Sequence, residues 1–262
     1  MFTVIVLGVA QLGDDLYVMA SDVPLKILVY DTNDYESSSV IEMPDVEHAI
    51  DIVACQKTQQ LYVADFTCVL SVFPDGEYGV WLPAEFPTSD FSVSSISVTE
   101  GRLLVASYME QHLLLYNEYR QEIARVELPS YMMPLHATES ASGTVILSHL
   151  GTLTDLSYSK RDFFQICEVG LNGEILQTFG DLNYTSHSGL QSPRYIVLAS
   201  GGRMFVADSG KRRVLLISSG FQLECVLVDD LQSDPQRLCY DEYSSRLTVA
   251  DFHGCISVFD II

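Results

Sequence analysis

The 262-residue chain is poor in positive charge: 14 Lys and Arg stand against 35 Asp and Glu, for a formal net charge of -21. A nucleic-acid binder needs cations to displace the counterions around phosphate, and a surface this acidic repels a polyanion instead. Nucleic acid is therefore not the expected partner, and anionic membranes are disfavoured on the same ground. The one basic cluster, Lys211-Arg212-Arg213, reads as a solvated turn. Long apolar runs are also missing: none reaches the roughly 20 residues that cross a bilayer. The nearest candidate, Phe2 to Ala10, lacks the basic flank of a secretory signal and reads as a strand. The expectation is a cytoplasmic protein with no membrane span.

Chemical signatures are scarce as well. The six cysteines (Cys55, Cys68, Cys167, Cys225, Cys239 and Cys255) form no Cys-x-x-Cys pair, so neither a zinc site nor a small disulfide framework is indicated. Reduced thiols are expected, with Cys68 and Cys255 heading matched strands (VADFTC and VADFHGC) as small buried hydrophobes. There is no Gly-x-Ser-x-Gly elbow, no phosphate loop between a strand and a helix, and no sustained helical period. Asn183-Tyr184-Thr185 fits a glycosylation sequon, but a lone triplet without secretion carries no weight.

What the chain does have is a repeated sentence. An apolar triplet ending in Ala or Ser and then a polar residue recurs around Val18, Val63, Val105, Leu147, Val206 and Val249, at steps of 45, 42, 42, 59 and 43 residues. Each unit also carries a β-rich strand before the marker and one or two after it, separated by Gly, Asp, Asn and Ser turns. Four short strands in about 43 residues, six times over, predict an all-β, six-bladed propeller of four-stranded antiparallel blades. The approximate blades are 1–43, 44–86, 87–129, 130–181, 182–229 and 230–262.

The clearest units, PRYIVLASGGRMFVADSGKRRVLLIS (193–218) and PQRLCYDEYSSRLTVADFHGCISVF (235–259), resemble the NHL repeat. That resemblance is good over 190–262, fair over 48–82 and faint elsewhere, and it implies a six-bladed propeller. NHL propellers often sit at the C-terminus of multidomain proteins such as tripartite-motif ubiquitin ligases. The resemblance thus leaves room for this chain to be the C-terminal part of a longer protein. Two features stand apart from the repeat. Residues Gly151 to Asp162 form an insertion between the second and third strands of the fourth unit, a place where binding loops occur. The sixth unit ends after its third strand, so its outer strand is sought at Phe2 to Val6.

Innermost strands of a propeller converge at a channel mouth. Aligning the units by first strand places Leu7, Asp51, Ser95, His136, Tyr195 and Arg237 at one level. Convergent polar groups at a concave mouth make Asp51, Ser95, His136, Tyr195 and Arg237 the candidate ligand or partner site. The same groups could instead pair with one another, Asp51 with Arg237 or His136, and fill the hole. A second ring follows the markers (Ala20, Asp65, Ser107, His149, Asp208 and Asp251), where Asp suits an Asx turn. The functional expectation is a non-catalytic scaffold without a cofactor, recognising a protein partner with a basic surface through a propeller face. The alternative is a calcium- or zinc-dependent hydrolase or lyase at the channel mouth, for which only Asp51 and His136 share a level.

Overall fold

The computed structural model of the chain describes residues 5–83, 92–107, 110–154, 160–180 and 189–261, with backbone alone for 153–154 and 160–161. Its elements are 23 strands and two single 3-10 turns. The first sheet holds β1 (Val6–Leu12), β2 (Asp15–Ala20), β3 (Leu25–Asp31) and β4 (Ser37–Met43). The second holds β5 (Ala49–Cys55), β6 (Gln60–Asp65), β7 (Val69–Val72) and β8 (Tyr78–Leu82). The third holds β9 (Val93–Thr99), β10 (Arg102–Ser107), β11 (His112–Tyr116) and β12 (Glu122–Glu127). The fourth holds β13 (Met132–Glu139), β14 (Val145–Thr154), β15 (Lys160–Val169) and β16 (Ile175–Phe179). The fifth holds β17 (Pro193–Leu198), β18 (Met204–Asp208), β19 (Arg213–Ile217) and β20 (Leu223–Val228). The sixth holds β21 (Pro235–Asp241), β22 (Arg246–Asp251) and β23 (Ile256–Asp260).

Each sheet is an antiparallel meander in sequence order. The first strands adjoin in a ring, β1 to β5 to β9 to β13 to β17 to β21, and β21 returns to β1. This is the six-bladed propeller that the repeat spacing predicts. Among the described residues no helix is long and apolar enough to cross a membrane.

The core lies between blades, because each sheet is apolar on both faces and must bury both. At the seam of blades 1 and 2, Ile27, Val29, Ile41 and Met43 pack on Ile52, Leu61, Val63, Leu70 and Val72. Between blades 2 and 3 the single tryptophan, Trp81, stands edge-on between Tyr62 (ring centroids 5.2 Å apart) and Tyr116 (6.3 Å). The marker residues Val63, Val105, Leu147 and Val206 are fully buried, which explains why the triplet is the most regular part of the repeat.

Three expectations need correction. Among the described residues the sixth sheet has three strands, and Val6 belongs to β1, the innermost strand of blade 1. Residues 2–4 of the proposed outer strand lie outside the described residues. The insertion at 151–162 is not simply a loop: Gly151 pairs with Phe163, Thr152 with Asp162 and Thr154 with Lys160, lengthening the β14–β15 hairpin. Its β-branched threonines suit that extension, and residues 155–159 lie outside the described set. Cys255 is exposed and Cys68 half-buried, because each precedes its strand at a turn rather than pointing between sheets; all six thiols are free.

Candidate functional site at the propeller axis

Every first strand carries a β-bulge near its start. The register against the second strand skips a residue between Val6 and Gly8, Ala49 and Asp51, Pro134 and His136, Pro193 and Tyr195, and Pro235 and Arg237, with the same irregularity before Ser95. A bulge re-aims the residue that follows it. The residues after the bulges are Gly8, Asp51, Ser95, His136, Tyr195 and Arg237, each opposite the residue that follows a marker. Five of the six are the expected ring. The sixth corrects Leu7, which is the bulged residue itself, to Gly8. A Cβ on Gly8 would lie 2.5 Å from Ile52 Cγ2 and 3.0 Å from the Ile52 amide nitrogen, so only glycine lets β1 approach β5 this closely.

The side chains meet. Arg237 Nε lies 3.4 Å from Asp51 Oδ1, and its Nη2 donates to the Ile50 carbonyl at 2.6 Å. The ring position between these two blades is Gly8, which puts no side chain in the way. Asp51 also accepts the Ile52 and Ile96 amides, both at 3.1 Å, and the Tyr195 hydroxyl. The guanidinium stands 5.4 Å from the Tyr195 ring centroid, and the His136 ring lies 3.8 Å from it, centroid to centroid. The Ile196 amide donates to His136 Nδ1 at 3.4 Å. Asp51, Ser95, His136 and Tyr195 are buried, and the Arg237 side chain is 19% exposed.

Burial governs the electrostatics here. Desolvation pushes the Asp51 carboxyl up to about 6, against the opposing pull of Arg237 and its amide donors. The same desolvation, with Arg237 adding to it, pushes His136 down to about 3, so the imidazole is neutral at pH 7. With Nδ1 accepting an amide, the neutral ring carries its proton on Nε2, and that atom has no partner among the described residues. His136 therefore offers a hydrogen-bond donor and not a base.

Two of the ring residues, His136 and Tyr195, also line a cavity of about 860 Å³ that runs along the axis to the first-to-second-strand turns. Its charged lining is Glu100, Glu139, Glu168 and Glu242, from three different blades, with no Lys or Arg and with Tyr240 and Phe221 as further aromatic walls. Glu139 is held by Arg102 at 2.8 Å. Glu168 accepts Thr144 Oγ1 at 2.6 Å and Gln177 Nε2 at 3.0 Å, and Glu242 accepts the Ser200 amide at 3.1 Å. Glu100, its side chain 79% exposed, lies 3.7 Å from the same Arg102. The ring residues thus divide: Asp51, Ser95 and Arg237 do not line this cavity, and His136 and Tyr195 do.

With this geometry in view, no protein-family model matches the chain and no curated relative matches it. Solved structures do. Hydrazine synthase of Kuenenia stuttgartiensis superposes with a TM-score of 0.68 at 12% identity, covering 97% of this chain and 83% of that one. A catalytically inactive H270A virginiamycin B lyase from Staphylococcus aureus, with quinupristin, gives 0.66 at 12% identity, covering 99% and 96%. A nidogen/laminin complex gives 0.66 at 13% identity, covering 90% and 84%. What is shared is the propeller fold. The NHL likeness rests on the sequence motif alone.

The second ring behaves as Asx chemistry predicts at two places. Asp251 Oδ1 accepts the His253 and Cys255 amides, both at 2.9 Å, and Asp65 Oδ1 accepts the Thr67 amide at 3.4 Å. Asp208 departs from this: buried, it accepts the Gln191 amide at 2.7 Å and pairs with Arg213 at 2.8 Å. His149 Nε2 lies 3.3 Å from Cys167 Sγ, a pair the sequence order gave no reason to join. Burial pushes the thiol up to about 12 and the imidazole down to about 4, so both are neutral and the pair is no activated nucleophile. Among the described residues no three His, Cys, Asp or Glu side chains gather as a metal would need. The acidic cavity was the feature that sequence reading missed, since its glutamates share no motif.

Proposed function

We propose that the chain is a non-catalytic binding module that recognises a basic protein partner through the face where the axial cavity opens. The observation that supports this is the lining itself: Glu100, Glu139, Glu168 and Glu242 around aromatic walls, with no cation among the lining side chains. A Lys or Arg side chain from a partner would find these carboxylates with the ring of Tyr240 beside them as a cation–π surface. In the polar ring beyond, Asp51 and Arg237 are engaged with each other and with backbone groups, while Ser95 Oγ and His136 Nε2 have no hydrogen-bond partner among the described residues. That pairing favours a fixed floor over a reacting group. The net charge of -21 gives the encounter a long-range pull that salt should weaken.

Calorimetric titration with an Arg-rich peptide, at low and moderate salt, tests the reading. Saturable binding is expected, weakened about tenfold or more by Glu100→Gln with Glu242→Gln, and falling with salt. Binding indifferent to both substitutions would sink the assignment of this face. Stoichiometric calcium or zinc in the purified protein, with melting lowered by chelator, would move the reading to a metal-dependent hydrolase or lyase.

A further inference from the structure

Glutamates stand at the turn end of the axial cavity, and a different chemistry stands nearer the ring. Two lining residues, Ser97 on β9 and His136 on β13, are 6% and 1% exposed. Each carries a polar atom with no hydrogen-bond partner among the described residues, Ser97 Oγ and His136 Nε2. Their strands belong to neighbouring blades and adjoin each other. Ser95, two residues before Ser97 and therefore on the same face of β9, is unpartnered as well. A buried polar atom left without a bond costs stability, so two such atoms lining one cavity call for a bonding group from outside the chain. The carboxylates lie at a set remove from them. Glu100 stands three residues beyond Ser97 and Glu139 three beyond His136, which is about 10 Å at the rise of a strand. The volume of about 860 Å³ is of the size that holds a whole ligand rather than a lone side chain.

We infer that the cavity takes an extended end of the basic partner, with an uncharged carboxamide side chain bonded to Ser97 and His136 and a cationic residue among the glutamates. This rests on the basic-partner reading of the cavity and adds what the inserted end must carry. His136 Nε2–H donates only, because Nδ1 already accepts the Ile196 amide, and the Ser97 hydroxyl can donate or accept. A carboxamide matches both: its carbonyl accepts from the imidazole and its amino group donates to the hydroxyl. A carboxylate could accept as well, but it would enter a cavity whose charged lining is entirely acidic. An ammonium or guanidinium would set donor against donor at His136. A thioether or alkyl group would leave both atoms without a strong bond. An extended chain advances about 3.3 Å per residue, so the cation belongs about three residues from the carboxamide.

Calorimetric titration with acetyl-Gln-Gly-Gly-Arg-Arg N-methylamide, and with Glu or Met in place of the Gln, tests the inference. The Gln peptide is expected to bind about tenfold more tightly than either of the others, since the site's polar atoms pair with it alone. Ser97→Ala should reduce the preference over Met about threefold. Because it removes a hydroxyl that bonds nothing, it should not lower the melting temperature. Adding His136→Phe should abolish the preference, with a melting curve to confirm the fold. Equal binding of the three peptides, or a Gln preference that survives Ser97→Ala, would overturn the inference. If the three bind equally and Glu100→Gln with Glu242→Gln weakens all of them, the basic-partner reading stands and the carboxamide falls alone. Binding by none of the three also overturns it, and the Arg-rich peptide then shows whether the basic-partner reading falls with it.

Discussion

Two seams of one ring are built from different materials. Between blades 1 and 2 the contact is mainly apolar, with Ile27, Met43, Ile52 and Val63 entirely inaccessible and Gln56 bonded to Gln11 and Gly13 at the β1–β2 turn. Between blades 6 and 1 the apolar cluster is small: Val6, Val9, Leu16, Val18 and Ala250 are buried, and Leu28, Tyr30 and Ile256 are only partly covered. Polar bonds do the joining there. Gln11 donates to Asp241 at 3.1 Å, Arg246 donates to the Thr32 carbonyl at 3.1 Å, and Arg237 reaches past blade 1 to Asp51 and the Ile50 carbonyl. With less apolar area at this seam, directional bonds between neighbouring blades carry more of the contact. The lesson is that a closed ring need not be uniformly closed.

The sharpest way to break this comparison is to cut the strap at the axis. Arg237→Met should destabilise the protein by about 3–5 kcal/mol at pH 8, where Asp51 is left as a buried charge without its partner. At pH 4 Asp51 is protonated and most of that cost should vanish, leaving the lost bond to the Ile50 carbonyl. Denaturant midpoints at the two pH values decide it, and an equal cost at both would remove the ion pair from the account. Next in size is a matched truncation. Ile27→Ala, in the closed seam, should cost roughly 2–5 kcal/mol. Ile256→Ala, at the equivalent place in the open seam, should cost about 1 kcal/mol, because much of that side chain already meets water. Similar losses in the two would mean the seams are alike after all.

The parent protein itself shows little pH dependence here, because two opposite contributions cancel. Asp51, with its folded pKa raised to about 6, contributes stability that is fully present below its unfolded value and lost as pH rises through about 6. His136, lowered to about 3, contributes stability that is present above its unfolded value and lost as pH falls toward about 3. Between pH 4 and 6 the two slopes oppose. Asp51→Asn removes one of them, so its stability relative to the parent should rise from pH 4 to 6, by at most about 3 kcal/mol. A difference that stays constant across that window would show that Asp51 titrates normally.

Much of the architecture was legible because the marker triplet is buried on both sides, and burial on both faces leaves a continuous apolar run. The ring at the axis was legible in five blades for the same reason. It failed in the first because a bulge adds a residue that periodicity cannot see, turning Gly8 into an apparent Leu7. The pairing of Asp51 with Arg237 could be guessed from charge, but not the choice between pairing and presenting them, which depends on the neighbouring glycine. The insertion looked like a loop because strands that overrun their blade have no counterpart in other units to be compared with. The glutamates of the axial cavity sit at turns or strand ends where the units differ most, so alignment of the repeats passes over them.

The contact past Gly8 ties the second blade to the sixth. Ile50 and Arg237 are joined by a hydrogen bond across 187 residues of sequence. As the chain is synthesised, Asp51 leaves the ribosome long before the residue that neutralises it. Five blades can stack while the axis holds an acid with no counter-ion, and only the arrival of β21 against β1 supplies one. Closing so long a loop is the slow kind of contact in folding. The last blade is thus the latch of the ring, and until it docks β1 and the nascent fifth blade both stand open to other chains.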